Sequence, residues 1–236
     1  MKQEDDSKIS QEAKIFVKRE KKALIDKFAN LEKYPSTEKP FSFFMAGSPG
    51  AGKTEFSKRL IEIMAPIPIV RIDADEIREF IPWYNGKNSD IVQGAAAIAV
   101  DKLNYYTLKH KQNSIMDGTF ANYEIAHRNI INSLNKNRSI GVFYIYQDPI
   151  IAWDFTRKRE KLEGRYVPKE AFIDAFFKAK ENVQLIKEEF GDKIELNLVI
   201  KNIDNEDEDI KSDIKTTIDN LIETPYTKKS LQKNIC

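Results

Sequence analysis

The sequence predicts an α/β chain with a five-stranded parallel sheet and helices on both faces. Three observations carry this. Short, nearly continuous apolar runs recur along the chain. Helix-length segments lie between them. A glycine-rich loop stands where the first run passes into the first such segment. Strand alternating with helix means βαβ units and parallel pairing, and strands covered on both faces lose their polar alternation.

The elements follow in order. Ile9, Ala13, Phe16, Val17, Leu24, Phe28 and Leu31 are spaced by turns of a helix, with lysines and glutamates on the other face. Such a helix covers a core or docks a partner. The stretch 34–40 holds Pro35 and Pro40 and reads as a linker. Strand candidates are 41–46, 67–72, 114–117, 140–146 and 194–200. Helix candidates are 53–64, 90–111, 122–136 and a double segment across 150–190. The stretch 204–213, with six acids and one lysine, reads as a solvated loop or helix start. The organisation expected is a helix and linker over 1–40, a main domain over 41–224 and a polar, disordered tail over 225–236.

Composition narrows the classes. The 236 residues suit one domain, and 41% apolar with 32% charged suits a soluble globular chain. Thirty-eight basic residues against 37 acidic ones leave a net charge of +1, so nothing in bulk attracts nucleic acid or membrane. One cysteine, Cys236, excludes internal disulfides, and two histidines argue against a multi-histidine metal centre. The acidic start and the lack of a run near ~20 apolar residues lead to the expectation of a cytoplasmic protein.

The strongest signal is Gly47, Ser48, Pro49, Gly50, Ala51, Gly52, Lys53, Thr54, a complete G-x-x-x-x-G-K-[ST] match after a strand and before a helix. Glycines let backbone amides turn inward around phosphate oxygens, and the helix start adds its positive dipole end. Lys53 is expected to reach the β- and γ-phosphates of ATP or another nucleoside triphosphate, and the Thr54 hydroxyl to ligate Mg²⁺.

The second strand ends in Asp73 and Asp75, two residues apart and so on one face of a strand. One carboxylate suits a general base and the other a metal support, with Asp75, further out, the better base. The alternative is that Asp75 caps the following helix. The third strand ends in Asp117, Gly118 and Thr119, at the sheet edge where open α/β folds bind ligands. These residues offer an acceptor for sugar hydroxyls, close backbone approach and an adaptable hydroxyl. Arg78 and Asn122, flanking these motifs, join Asp73 in the substrate-binding set. Asp101 on its own reads as a solvated helical acid.

Arg157, Arg159 and Arg165 crowd a segment punctuated by Gly164 and Pro168. Phosphoryl transfer needs cations over the γ-phosphoryl oxygens, and a mobile cover keeps water out. An exposed helix with i,i+4 ion pairs is the competing reading. Trp83, Tyr84 and Trp153 are core or rim aromatics before they are base-stacking ones. His127 reads as a satisfied surface histidine. Lys201 and Asn202, after the last strand, stand where P-loop kinases often build the base pocket.

With these residues assembled, the chain resembles the zeta-toxin family of P-loop kinases from about 41 to 168. The resemblance implies an Arg-rich lid over the sheet edge, with Lys53 and Thr54 holding nucleotide phosphate and Mg²⁺. It makes Asp75 the catalytic base and Asp117, Gly118 and Thr119 the sugar-binding motif. Asp101 becomes a further substrate-binding acid. Arg165, with Arg157 or Arg159, becomes a phosphate clamp. It implies transfer from ATP to a hydroxyl of UDP-N-acetylglucosamine, and a small antitoxin partner. Two departures bear on the acceptor. Both sugar-site acids are Asp where the best-known members have Glu, and Phe120, Ala121 and Asn122 replace a Gly/Arg-containing turn. Another nucleotide sugar or a dinucleotide such as NAD then enters as acceptor. The rival functions are a kinase of RNA or polynucleotide ends, against which the near-zero charge argues, and a nucleotide-gated interaction module without acceptor chemistry.

Overall fold

The computed structural model describes residues 2–202, 208–215 and 217–235. Helices α1 (Lys2–Arg19) and α2 (Lys21–Phe28) lead into strand β1 (Phe41–Ala46). There follow α3 (Lys53–Ile63), β2 (Val70–Asp73), α4 (Ala74–Arg78), α5 (Ser89–Lys109), β3 (Ser114–Asp117), α6 (Tyr123–Leu134) and β4 (Ser139–Tyr146). The chain continues through α7 (Pro149–Glu163), α8 (Lys169–Phe190), β5 (Glu195–Lys201), β6 (Glu208–Lys211) and α9 (Lys228–Asn234).

The sheet runs β2-β3-β1-β4-β5-β6, parallel except for the last pair. Among the described residues it thus has six strands rather than five. The extra strand comes out of the acidic stretch expected as a loop or helix start. Residues 208–211 pair antiparallel with β5 at the sheet margin, where one side meets water and charged side chains are tolerated. Residues 203–207 of that stretch, and Cys236, lie outside the described residues. The second strand begins at Val70, not 67, because Pro66 and Pro68 have no N–H to give a ladder.

Alternation along the strands divides the core. Phe44 and Ala46 of β1 face one side with Val142, Tyr144, Leu196 and Leu198, under α6 and α8. Met45 faces the other with Ile115, Ile145 and Val199, under α3. Each fully buried Leu, Ile, Val, Phe or Met among them contributes about 1.5–3 kcal/mol. The N-terminal helices cover a core: Ala13, Val17 and Leu24 are buried against Val70, Ile72, Ala95 and Leu103. The expected single helix breaks in two at Glu20.

The segment after Pro225 is not a disordered tail. Thr227 and Ser230 form a capping box that starts α9, and Leu231 and Ile235 are buried beside Trp153 and Phe172. Among the described residues, no helix is long and apolar enough to cross a membrane.

Candidate active site

The turn from β1 into α3 has the backbone a phosphate cradle needs. Gly47, Gly50 and Gly52 have φ of +140°, +73° and +85°, conformations L side chains rarely adopt. The Gly47 amide donates to the Thr119 carbonyl at 3.1 Å, tying the loop to the end of β3. The Lys53 amine donates to the Ser48 carbonyl at 2.7 Å, folded back inside the loop. Burial lowers the Lys53 amine to about 8. Asp117 and Asp75 act against that shift, while Arg165 and Arg159 reinforce it. These four charged groups therefore share the space around the amine.

Asp73 and Asp75 divide the two roles offered to them. Asp73, not Asp75, caps α4: its Oδ1 accepts from the Asp75 amide at 2.8 Å. Its Oδ2 accepts from Arg71 Nη2 at 2.5 Å, so a substrate contact through Asp73 is not what the geometry offers. Asp75 Oδ1 accepts from Arg78 Nη1, and Asp75 Oδ2 is ion-paired with Arg165 Nη1. Asp75 keeps 26% of its side-chain surface open to solvent.

Burial pushes the Asp73 carboxyl up to about 6, aided by Asp117 and opposed by Arg71. Its folded value lies above the unfolded one of ~3.9. The folded protein thus holds this proton longer, and stability falls as pH climbs from about 4 to about 6. Asparagine caps a helix as well as aspartate and carries no charge. The ligand-free Asp73→Asn protein is expected to be more stable by about 1–3 kcal/mol at pH 7.5. The advantage should be gone at pH 4. Denaturant unfolding at both pH values reads this, and equal stability at pH 7.5 contradicts it.

Other expected substrate ligands are engaged elsewhere. Asp117 accepts from Arg71 Nη2 at 2.5 Å and from the Ser57 hydroxyl at 3.0 Å, with 4% of its side chain exposed. Both contacts fall on Oδ2, which fixes the carboxylate at the end of β3. Arg78 is buried, with its guanidinium bonded to Asp75 and to Gln93 Oε1. Asn122 caps α6, its Oδ1 accepting from the Ile125 amide at 2.9 Å. Asp101 is 58% exposed on α5 and pairs with Arg128 at 2.8 Å, as a solvated acid does. The Thr119 hydroxyl accepts from the Ala121 amide at 3.4 Å.

Helix geometry separates the lid arginines. Residues two apart on a helix point in nearly opposite directions. Arg157 pairs with Glu160 and lies over the Trp153 ring at 5.8 Å. Arg159 pairs with Glu163 at 3.3 Å and stands within the field of Lys53 and Arg165. Burial lowers Arg165, and Asp75 holds it up.

Of the remaining candidates, Trp83 meets Phe16 and Trp153 meets Phe172, both edge to face. Tyr84 is half-buried within the field of Arg78, Asp75 and Arg165. His127 pairs with Glu189 at 2.8 Å on the surface. Lys201 flanks the loop, since a Cβ added to Gly52 would lie 3.0 Å from its Cε.

Arg71 belongs to the site although it lies in none of the sequence motifs. Its side chain, 8% exposed, binds Asp73, Asp117 and Glu76, each at 2.5 Å, and Ser57 at 2.9 Å. A charge between apolar Val70 and Ile72, on the strand face of Asp73, is the available signal. Gln93 has no such signal.

Among the described residues, no three His, Cys, Asp or Glu side chains cluster as a metal site. Mg²⁺ asks for less: one or two protein oxygens, with phosphate oxygens and water completing the octahedron. The Thr54 hydroxyl, in the first turn of α3 behind the loop, is a hard oxygen donor of that kind.

A mostly parallel sheet bearing such a loop, with acids at the ends of its neighbouring strands and arginines above, defines a P-loop kinase scaffold. The sequence profile of zeta toxin matches residues 25–215, and the chain belongs to that family. Among solved structures, it is similar to one from the PezAT chromosomal toxin-antitoxin system of Streptococcus pneumoniae. The TM-score is 0.63 at 20% identity, covering 96% of this chain and 87% of that one. It is also similar to the AvrRxo1-ORF1:-ORF2 structure with ATP, with a TM-score of 0.61 at 12% identity over 86% of this chain. There it spans 65% of the longer protein. These likenesses show a shared fold. No curated protein sequence matches the chain significantly.

Proposed function

We propose that the protein is an ATP-dependent phosphotransferase acting on a hydroxyl of a nucleotide sugar, with UDP-N-acetylglucosamine the first acceptor to test. The observation that carries this reading is the convergence of Lys53, Asp75, Arg159 and Arg165 at the mouth of one glycine-lined loop. Loop amides and Lys53 bind the β- and γ-phosphates. Thr54 would hold Mg²⁺, which when bound would neutralise charge on those oxygens. Asp75 takes the proton of the acceptor hydroxyl. The acceptor oxygen bonds to the γ-phosphorus as the bond to the β,γ-bridging oxygen breaks, leaving ADP. Arg159 and Arg165 follow the charge as it spreads over the transferring group.

A second reading keeps the chemistry and changes the acceptor to another nucleotide sugar, NAD or an RNA end. What favours it is the engagement of Asp117 by Arg71 and of Asp101 by Arg128. A small antitoxin is proposed as partner, supported by the family and by the toxin-antitoxin system of the pneumococcal relative.

The test is incubation with γ-labelled ATP, Mg²⁺ and separate acceptors: UDP-N-acetylglucosamine, other nucleotide sugars, NAD and RNA. Label on a nucleotide sugar supports the reading, and label on NAD or RNA alone supports the second. Release of phosphate or no turnover with any acceptor, despite nucleotide binding, points to a gated interaction module.

A further inference from the structure

Asp75, the proposed base, has both oxygens occupied: Arg78 holds Oδ1 and Arg165 holds Oδ2. The two cations differ in how they are held. Arg78 extends from the same short helix, is buried, and is fixed by Gln93. Arg165 comes from the turn between α7 and α8, which opens at Gly164 with φ of +74°. That turn is closed against Gly86 and Lys87. A Cβ on Gly86 would meet the Glu163 carbonyl at 3.2 Å, and one on Gly164 would meet the Lys87 side chain at 3.0 Å. Two glycine corners thus press together and carry Arg165 across to the carboxylate.

This contact stands in the way of the proposed chemistry. An acceptor hydroxyl must donate to Asp75, and the oxygen that Arg78 leaves to it is the one Arg165 covers. A terminal phosphate offers Arg165 a better partner, with more charge and the same fork geometry. Lys53 and Arg159 crowd the same space, and like charges there are relieved by an arriving polyanion.

We infer, on the phosphotransferase reading above, that Arg165 exchanges partners from Asp75 to the donor's terminal phosphate. The triphosphate thereby uncovers the base, and donor binding precedes acceptor binding. Asp75 and the terminal phosphate then compete for one guanidinium, so removing either competitor strengthens the other's hold.

That competition is measurable without an acceptor. Isothermal titration calorimetry with Mg²⁺ gives affinities for AMP-PNP and ADP in wild type, Asp75→Asn, Arg165→Ala and the double variant. Asp75→Asn is expected to tighten AMP-PNP about fivefold, as for a partly exposed ion pair, and to change ADP less than twofold. In the Arg165→Ala background the gain should vanish, and Arg165→Lys should retain part of it. Three outcomes overturn the inference: no tightening, tightening that persists without Arg165, or equal tightening of ADP. Nucleotide binding without this coupling removes the inference alone. A wild-type protein that binds neither nucleotide removes the phosphotransferase reading as well.

Discussion

Asp75→Asn is expected to lower phosphoryl transfer by about 10²–10⁴-fold, the contribution of a positioned general base, without weakening donor binding. Asparagine has the same shape, so Arg78 still meets an oxygen at that position. What is lost is the ability to take a proton from the incoming hydroxyl. The loss should appear in kcat, because the base acts on the reacting atom rather than on ground-state affinity. Turnover with the best acceptor from the panel is the measurement, with donor affinity determined alongside. Transfer at the wild-type rate in this variant would take the base role from Asp75. It would also remove the reason for Arg78 and Gln93 to be arranged behind it.

Gly50→Ala carries the second large effect, through structure instead of chemistry. A Cβ there would sit 2.0 Å from the Ala152 carbonyl oxygen and 2.6 Å from the Thr156 hydroxyl. No rotamer change relieves a clash with backbone, so the loop or α7 must move. The φ of +73° adds strain for any L side chain. Together these are expected to cost about 3–5 kcal/mol, lowering Tm by roughly 6–20 °C for a chain of this size. Because α7 carries Arg159 and leads to Arg165, nucleotide binding should fall with it. Gly118→Ala is the control, since a Cβ there meets nothing within 4 Å. A Gly50→Ala protein with unchanged Tm would mean that loop and α7 are not packed as described.

Much of this architecture is legible in the residues alone, and the gaps have physical causes. Five strands show as apolar runs because both faces of the sheet are covered. The sixth carries acids and a lysine at the sheet margin, so it has the composition of a loop. The phosphate loop is legible because its backbone cannot be built without glycine at fixed spacings. Which acid caps α4 depends on where β2 stops. That end falls at Asp73, one residue past the expected limit of 72. Arg157 and Arg159 are alike in composition, and only the rotation of α7 separates them. Asp117 and Asp101 fit a substrate pattern by position, whereas their partners Arg71 and Arg128 are brought in from 46 and 27 residues away. Spacing reports neighbours on one element and is silent about those long-range pairs.

The Lys53 amine, enclosed by the loop and held near 8, has a chemical consequence of its own. Burial holds it below an ordinary lysine, so more of it is uncharged near neutral pH. It is therefore a selective nucleophile toward acylating reagents shaped to enter the cradle, and occupation of the cradle by a polyphosphate would shield it.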